Sequence, residues 1–233
     1  MSRPVGSIFE LGNAVLFDLD NTLIDRDQAR DRFFSFLLAT YFPRLEPGSF
    51  AWTDRMETLC ALDQGGRGSK TAIYDYCCSD TPGMTRESFV ELMRGRLASH
   101  ASWSDGAESL LKCLRGRRHP LALVTNGSRS QRAKIEAIGA SRYFDTVLIS
   151  EEVGAAKPDP GIFRLAMSRL NASPGRSVFI GDSIEHDIAG ARNVGMMTVY
   201  LNRSGEMGAD ESLCDLVVAD LRELSDLVVA LEA

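Results

Sequence analysis

Ala14-Val15-Leu16-Phe17-Asp18-Leu19-Asp20-Asn21-Thr22 opens on four apolar residues and then turns polar at two aspartates. The apolar part is continuous and does not alternate, which is the pattern of a strand covered on both faces in a parallel sheet. Runs of the same kind recur at residues 121–124, 146–149, 177–180, 198–201 and 216–218. Segments with helix punctuation separate them. Asp159-Pro160 reads as an N-cap followed by proline at the first helical position. Asp105 with Glu108 reads as an N-cap with its reciprocal partner. Gly139 and Gly195 stand where glycines follow helix ends. Strands and helices alternating at this spacing predict an α/β, doubly wound, Rossmann-like parallel sheet.

One interval breaks the alternation. About a hundred residues separate the first apolar run from the second, far more than one crossover needs. This stretch reads as helical. Phe33, Phe34, Phe36, Leu37, Leu38 and Tyr41 form one apolar face, and Phe89, Leu92, Met93 and Leu97 form another, entered through Thr85 as a cap. Segments around Met56, Leu59, Cys60 and Leu62 and over residues 71–78 supply two more helices. Pro43, Pro47, the Gly65-Gly66-Arg67-Gly68 run and Pro82-Gly83 mark the turns. The division predicted is a core domain of residues 1–23 and 103–233, with an inserted α-helical domain of residues 24–102.

Composition narrows the function. Of 233 residues, 44% are hydrophobic, enough for a sizeable core, and 25% are charged, the level of an ordinary globular chain. The formal charge is −6 with no basic tract, so neither a nucleic acid polymer nor an anionic membrane is expected as partner. No apolar run is long enough to span a bilayer, and the N-terminal stretch has no secretory apolar region. The five cysteines are odd in number and lack a CxxC or Cys/His cluster, which points to reduced thiols and a cytoplasmic setting.

In open α/β sheets the site lies beyond the carboxyl ends of the strands. Read off there, the chain offers Asp18 and Asp20, then Thr125-Asn126-Gly127, then Lys157-Pro158, then Gly181-Asp182 with Asp187 at the next helix start. Four carboxylates, a lysine and a threonine thus converge on one edge. Crowding that many carboxylates costs several kcal/mol unless a cation joins them, and an oxygen-only donor set favours Mg2+ over zinc. Asp18 and Asp20, two apart in an extended segment, would face the same side. One of them can bind the metal and act as nucleophile while the other handles protons. Asp182 is placed to complete the metal shell, and Lys157 to balance the nucleophile and an incoming anion. The Thr125 hydroxyl and the Asn126 and Gly127 amides can donate to phosphoryl oxygens.

Asp18-Leu19-Asp20-Asn21-Thr22 matches the DxDxT signature of the haloacid dehalogenase-like (HAD) hydrolase superfamily. Thr125, Lys157-Pro158 and Gly181-Asp182 with Asp187 resemble its other three motifs, in the family's order. The helical insertion resembles the cap of the subgroup that carries it between the first two motifs. Trp103-Ser104-Asp105-Gly106-Ala107 is similar to the stretch leading from that cap back into the core. The resemblance implies an aspartyl-phosphate on Asp18, with Asp20 as acid and base. It implies Mg2+ held by Asp18, the Asp20 carbonyl and Asp182, with Asp187 a ligand through water or a partner of Lys157. Thr125 and Lys157 would bind the phosphoryl group, and the cap would close over the site. The function expected is a phosphomonoesterase for a small-molecule phosphate ester. A phosphosugar mutase, a haloacid dehalogenase and a non-catalytic binding protein are the alternatives. Asp25, Arg26, Arg67 and Lys70 are candidates to meet the substrate's distal polar groups.

Overall fold

The computed structural model describes residues 8–10, 12–203, 205 and 213–230. The chain divides into two compact units, one of Met1–Asp25 with Ser102–Ala233 and one of Arg26–Ala101. In chain order, β1 (Ala14–Phe17) is followed by the insertion, α1 (Arg26–Tyr41), α2 (Phe50–Asp63), α3 (Lys70–Cys77) and α4 (Arg86–Ser99). The chain then returns through α5 (Ala107–Gly116), β2 (Leu121–Thr125), α6 (Ser130–Ala137), β3 (Thr146–Ile149), α7 (Ser150–Val153) and α8 (Pro160–Arg169). It closes with β4 (Ser177–Gly181), a π-turn at Ile184–Ile188, α9 (Ala189–Asn193), β5 (Met197–Leu201), β6 (Leu216–Val218) and α10 (Leu221–Ala230).

The six strands of the described residues form one parallel sheet in the order β3-β2-β1-β4-β5-β6. Every residue of β1, β2 and β4 is buried, which is why these strands are apolar throughout. Ala14, Leu16, Ala122, Val124 and Phe179 pack on Ile162, Phe163, Ala166 and Met167 of α8. Val15, Phe17, Leu123, Val178 and Ile180 point the other way and are also buried. Gly190 lets α9 approach α8, since a Cβ there would sit 2.6 Å from the Phe163 ring.

The insertion is a four-helix cap domain with its own core. Phe33, Phe34, Leu37 and Leu38 of α1 pack with Leu59, Ile73, Phe89, Met93 and Leu97. Ser49, Ser69 and Thr85 cap α2, α3 and α4, and Thr85 with Ser88 completes a capping box. Arg26, a candidate for substrate contact, is instead 5% exposed and gives the Asp63 carboxylate two hydrogen bonds, at 2.9 and 2.8 Å. Its guanidinium is committed to the cap's own interior.

The start of α5 also departs from expectation. Its N-cap is Gly106 at φ +79°, not Asp105. Asp105 faces Arg222 at 3.7 Å, and Glu108 pairs with Lys112 and Arg142. A Cβ at residue 106 would lie 2.5 Å from the Arg222 amide nitrogen, so close packing against α10 fixes this turn rather than a side-chain cap. Among the described residues no helix is long and apolar enough to cross a membrane.

Candidate active site

The strand order reverses between β1 and β4, where sequential strands depart to opposite sides, and ligands of open α/β sheets bind at such a point. Phe17 is paired with Ile180, and the Asp18 amide donates to the Ile180 carbonyl at 3.0 Å. Asp18 therefore leaves β1 beside Gly181 and Asp182. Carboxylate oxygens of Asp18, Asp182 and Asp187 lie within 4.8 Å of one another. Lys157 Nζ, 4% exposed as a residue, donates to Asp18 Oδ1 and Asp187 Oδ1, both at 2.6 Å, and stands over the Phe179 ring.

Burial makes this cluster electrostatically unusual. Desolvation, opposed by Lys157 and reinforced by Asp187, pushes the Asp18 carboxyl up to about 7. Desolvation followed by repulsion from Asp18 and Asp187 pushes Asp182 up to about 8. Burial alone would lower the Lys157 ammonium, but Asp18 and Asp187 override it and hold its pKa above the usual lysine value. Three carboxylates against one ammonium leave two negative charges in excess when all are ionised. A divalent cation with hard oxygen ligands fits that imbalance.

Local backbone builds the cluster. Asp187 sits inside the π-turn, not at a helix cap, and Ser183 caps the turn instead. The Ser183 amide donates to Asp187 Oδ2 at 3.1 Å. Gly181 makes room for this carboxylate, because a Cβ at residue 181 would overlap it.

Asp20 is held from α6. The chain after Leu19 coils, with the Thr22, Leu23 and Ile24 amides all directed to the Leu19 carbonyl and Asn21 at φ +60°. The Asp20 side chain bonds to α6. Lys134 Nζ donates to Asp20 Oδ1 and Oδ2 at 2.7 and 2.9 Å, and Gln131 Nε2 donates to Oδ2 at 2.8 Å. Gln131 also reaches Thr125 Oγ1 at 2.8 Å. Neither Gln131 nor Lys134 stands out in the sequence alone. The signal was a helix whose inward positions, Gln131, Lys134 and Ile135 at i, i+3 and i+4, include two polar residues.

Thr125 ends β2 and is 1% exposed. The Asn126 side chain donates to the Lys157 carbonyl at 2.8 Å and accepts the Lys157 amide at 2.7 Å. The Gly127 amide donates to Ser150 Oγ at 2.9 Å. Residue 127 has φ +142°, and a Cβ there would lie 2.8 Å from Gln131 Cγ. Glycine at this position thus admits Gln131.

The profile of the family described as "Haloacid dehalogenase-like hydrolase" matches residues 15–201, from β1 to the end of β5 and across the whole insertion. The chain belongs to this family. The HAD-like hydrolase is 31% identical over 241 residues to N-acylneuraminate-9-phosphatase of Mus musculus, covering 94% of each chain. It is 38% identical over 243 residues to ribulose-1,5-bisphosphate 5-phosphatase of Halopiger xanaduensis, covering 94% of this chain and 100% of the relative. Among solved structures, the crystal structure of a HAD phosphatase from Thermococcus onnurineus superposes with a TM-score of 0.65 at 27% identity, covering 93% of this chain and 97% of that one.

Proposed function

We propose that this HAD-like hydrolase is a magnesium-dependent phosphomonoesterase that acts on a small phosphorylated metabolite through an aspartyl-phosphate on Asp18. The observation that carries the reading is the buried Asp18–Lys157–Asp187 arrangement with Asp182 beside it: three carboxylates within 4.8 Å of one another, and one ammonium 2.6 Å from two of them. Both curated relatives named above are phosphatases of small molecules.

In this reading Asp18 and Asp182, with the Asp20 carbonyl, would hold Mg2+, and Asp187 supports the group through Lys157. When bound, the ion would supply positive charge to the phosphoryl oxygens and to the ionised Asp18. One Asp18 carboxylate oxygen attacks phosphorus, and the bond from phosphorus to the ester oxygen breaks. Asp20 gives its proton to the departing alcohol. It then takes a proton from the water that attacks the aspartyl-phosphate, which releases inorganic phosphate and restores the Asp18 carboxylate. Lys157 and the Thr125 hydroxyl neutralise the phosphoryl oxygens as charge shifts during transfer. Asn126 and Gly127 serve through Lys157 and Gln131 in this arrangement, and the Asn126 amide is the remaining donor of that turn. A framed carboxylate at residue 20 favours phosphoryl chemistry over halide release, because halide departure needs no proton donor. Buried Cys77 and Cys78, whose thiols burial pushes up to about 12 and about 11, agree with a reduced, cytoplasmic setting.

Hydrolysis of para-nitrophenyl phosphate, followed with Mg2+ and with EDTA, tests the reading. Turnover should require Mg2+, and Asp18→Asn should abolish it. Metal-independent turnover, or an active Asp18→Asn protein, would overturn it.

A further inference from the structure

Both oxygens of the Asp20 carboxylate are engaged from a single helix. Lys134 Nζ spans Oδ1 and Oδ2, and Gln131 Nε2 holds Oδ2. The Lys134 side chain is only 8% exposed and that of Asp20 25% exposed, so this is a sheltered pair at the edge of the site rather than a solvated surface contact. The same Gln131 amide nitrogen reaches the Thr125 hydroxyl and the Asn126 carbonyl, at 2.8 and 3.2 Å. One turn of α6 thereby ties the end of β1 to the end of β2. The absence of a side chain at Gly127 is what lets Gln131 pass. A buried lysine loses rotamer freedom and hydration, a cost that its two bonds to the Asp20 carboxylate offset.

We infer that Lys134 and Gln131 are the positioning residues of Asp20: they aim its carboxyl at the leaving oxygen and set the rate at which the ester bond breaks. The inference rests on the phosphomonoesterase reading, in which Asp20 moves the protons. Gln131 also donates to the Thr125 hydroxyl, whose own hydrogen is directed to the Asn126 carbonyl at 3.4 Å. Proton donor and phosphoryl-binding hydroxyl are then oriented by one amide.

The test compares kcat/KM for phenyl phosphate, whose leaving group needs a proton, and para-nitrophenyl phosphate, whose leaving phenolate needs little help. Both are measured with saturating Mg2+ for the wild type, Lys134→Met, Lys134→Arg, Gln131→Met, Asp20→Asn and Asp20→Asn combined with Lys134→Met. Lys134→Met should lose roughly ten-fold or more beyond its para-nitrophenyl loss on phenyl phosphate, since general-acid catalysis is the part removed. Lys134→Arg should recover most of that difference. In the Asp20→Asn background Lys134→Met should add less than about two-fold, as coupled sites are non-additive. Equal losses on the two esters, or losses that multiply in the Asp20→Asn background, would overturn the inference and leave Lys134 a structural residue. If Lys134→Met does not fold, Gln131→Met decides by the same preference, which its equal loss on both esters would refute. A wild type with no Mg2+-dependent turnover of either ester would sink the phosphomonoesterase reading itself. A wild type active through Asp18, with variants falling equally on both esters, would sink the positioning role alone.

Discussion

Asn126 and Lys157 exchange two hydrogen bonds: the Asn126 amide donates to the Lys157 carbonyl at 2.8 Å and its oxygen accepts the Lys157 amide at 2.7 Å. The loop after β2 is thus what fixes the backbone of the lysine that neutralises Asp18 and Asp187. Asn126→Ala leaves both Lys157 backbone groups without these partners, at about 1–3 kcal/mol for each buried group. It should lower kcat by about 100-fold through displacement of the ammonium, with a smaller change in KM. Urea unfolding and steady-state kinetics on the same preparation check both.

The raised Asp18 and Asp182 carboxyls make stability depend on pH in a stated direction. Folded, they hold protons up to about 7 and about 8, whereas unfolded they release them near 3.8. Their contribution is fully present below the unfolded value and is lost as pH rises through the folded values. Mg2+ replaces those protons, so the rise in Tm on adding Mg2+ should be larger at about pH 8.5 than at about pH 6. Thermal melts with EDTA and with Mg2+ across this window provide the measurement. A Mg2+ effect that shrank toward alkaline pH would contradict the assignment.

Gly181→Ala inserts a methyl group where the Asp187 carboxylate lies. Asp187 must move, breaking its bonds to Lys157 and to the Ser183 amide. Overpacking of this kind costs roughly 1–3 kcal/mol, and activity and Mg2+ affinity should fall together. Gly95→Ala in α4 is the control. Nothing lies within 4 Å of its added Cβ, and Ala should be stabilising by about 0.5–1 kcal/mol.

In the cap domain, Arg26→Met strips a buried carboxylate of its partner, since Asp63 has a side-chain exposure of only 3%. The cost should be about 3–5 kcal/mol, and Asp63→Leu added to Arg26→Met should recover much of it. Hydrogen exchange resolved by segment should show the loss concentrated in residues 26–101.

The sheet was legible because its strands are buried on both faces, so their apolar runs are short, dense and β-branched. The four segments at their ends were legible because strand direction alone brings them to one edge. The insertion was readable as four helices from apolar spacing and from Thr85, whose capping box is local in sequence. What local reading missed was set by packing between distant elements. Asp105 looks like a cap, yet the close approach of α10 at Gly106 determines where α5 begins. Arg26 looks like an exposed cation, yet Asp63, distant in sequence, draws it inside. Gln131 and Lys134 meet Asp20 across separations of 111 and 114 residues, and spacing within α6 carries no record of so distant a contact.

The entry and exit of the insertion are themselves hydrogen-bonded. Ile24 bridges Trp103, the Asp25 amide donates to the Ser102 carbonyl at 3.3 Å, and the Ser104 amide donates to the Leu23 carbonyl at 2.8 Å. Arg203, two residues beyond β5, secures the same mouth by donating to the Thr22 carbonyl and Ser104 Oγ. The parent sheet therefore sees a closed hairpin stem, whatever length of chain it carries. Doubling the spliced-in segment would add only about 0.6 kcal/mol of loop-closure entropy. A different inserted module can accordingly be carried at this junction while Asp18 and Asp20 stay where they are.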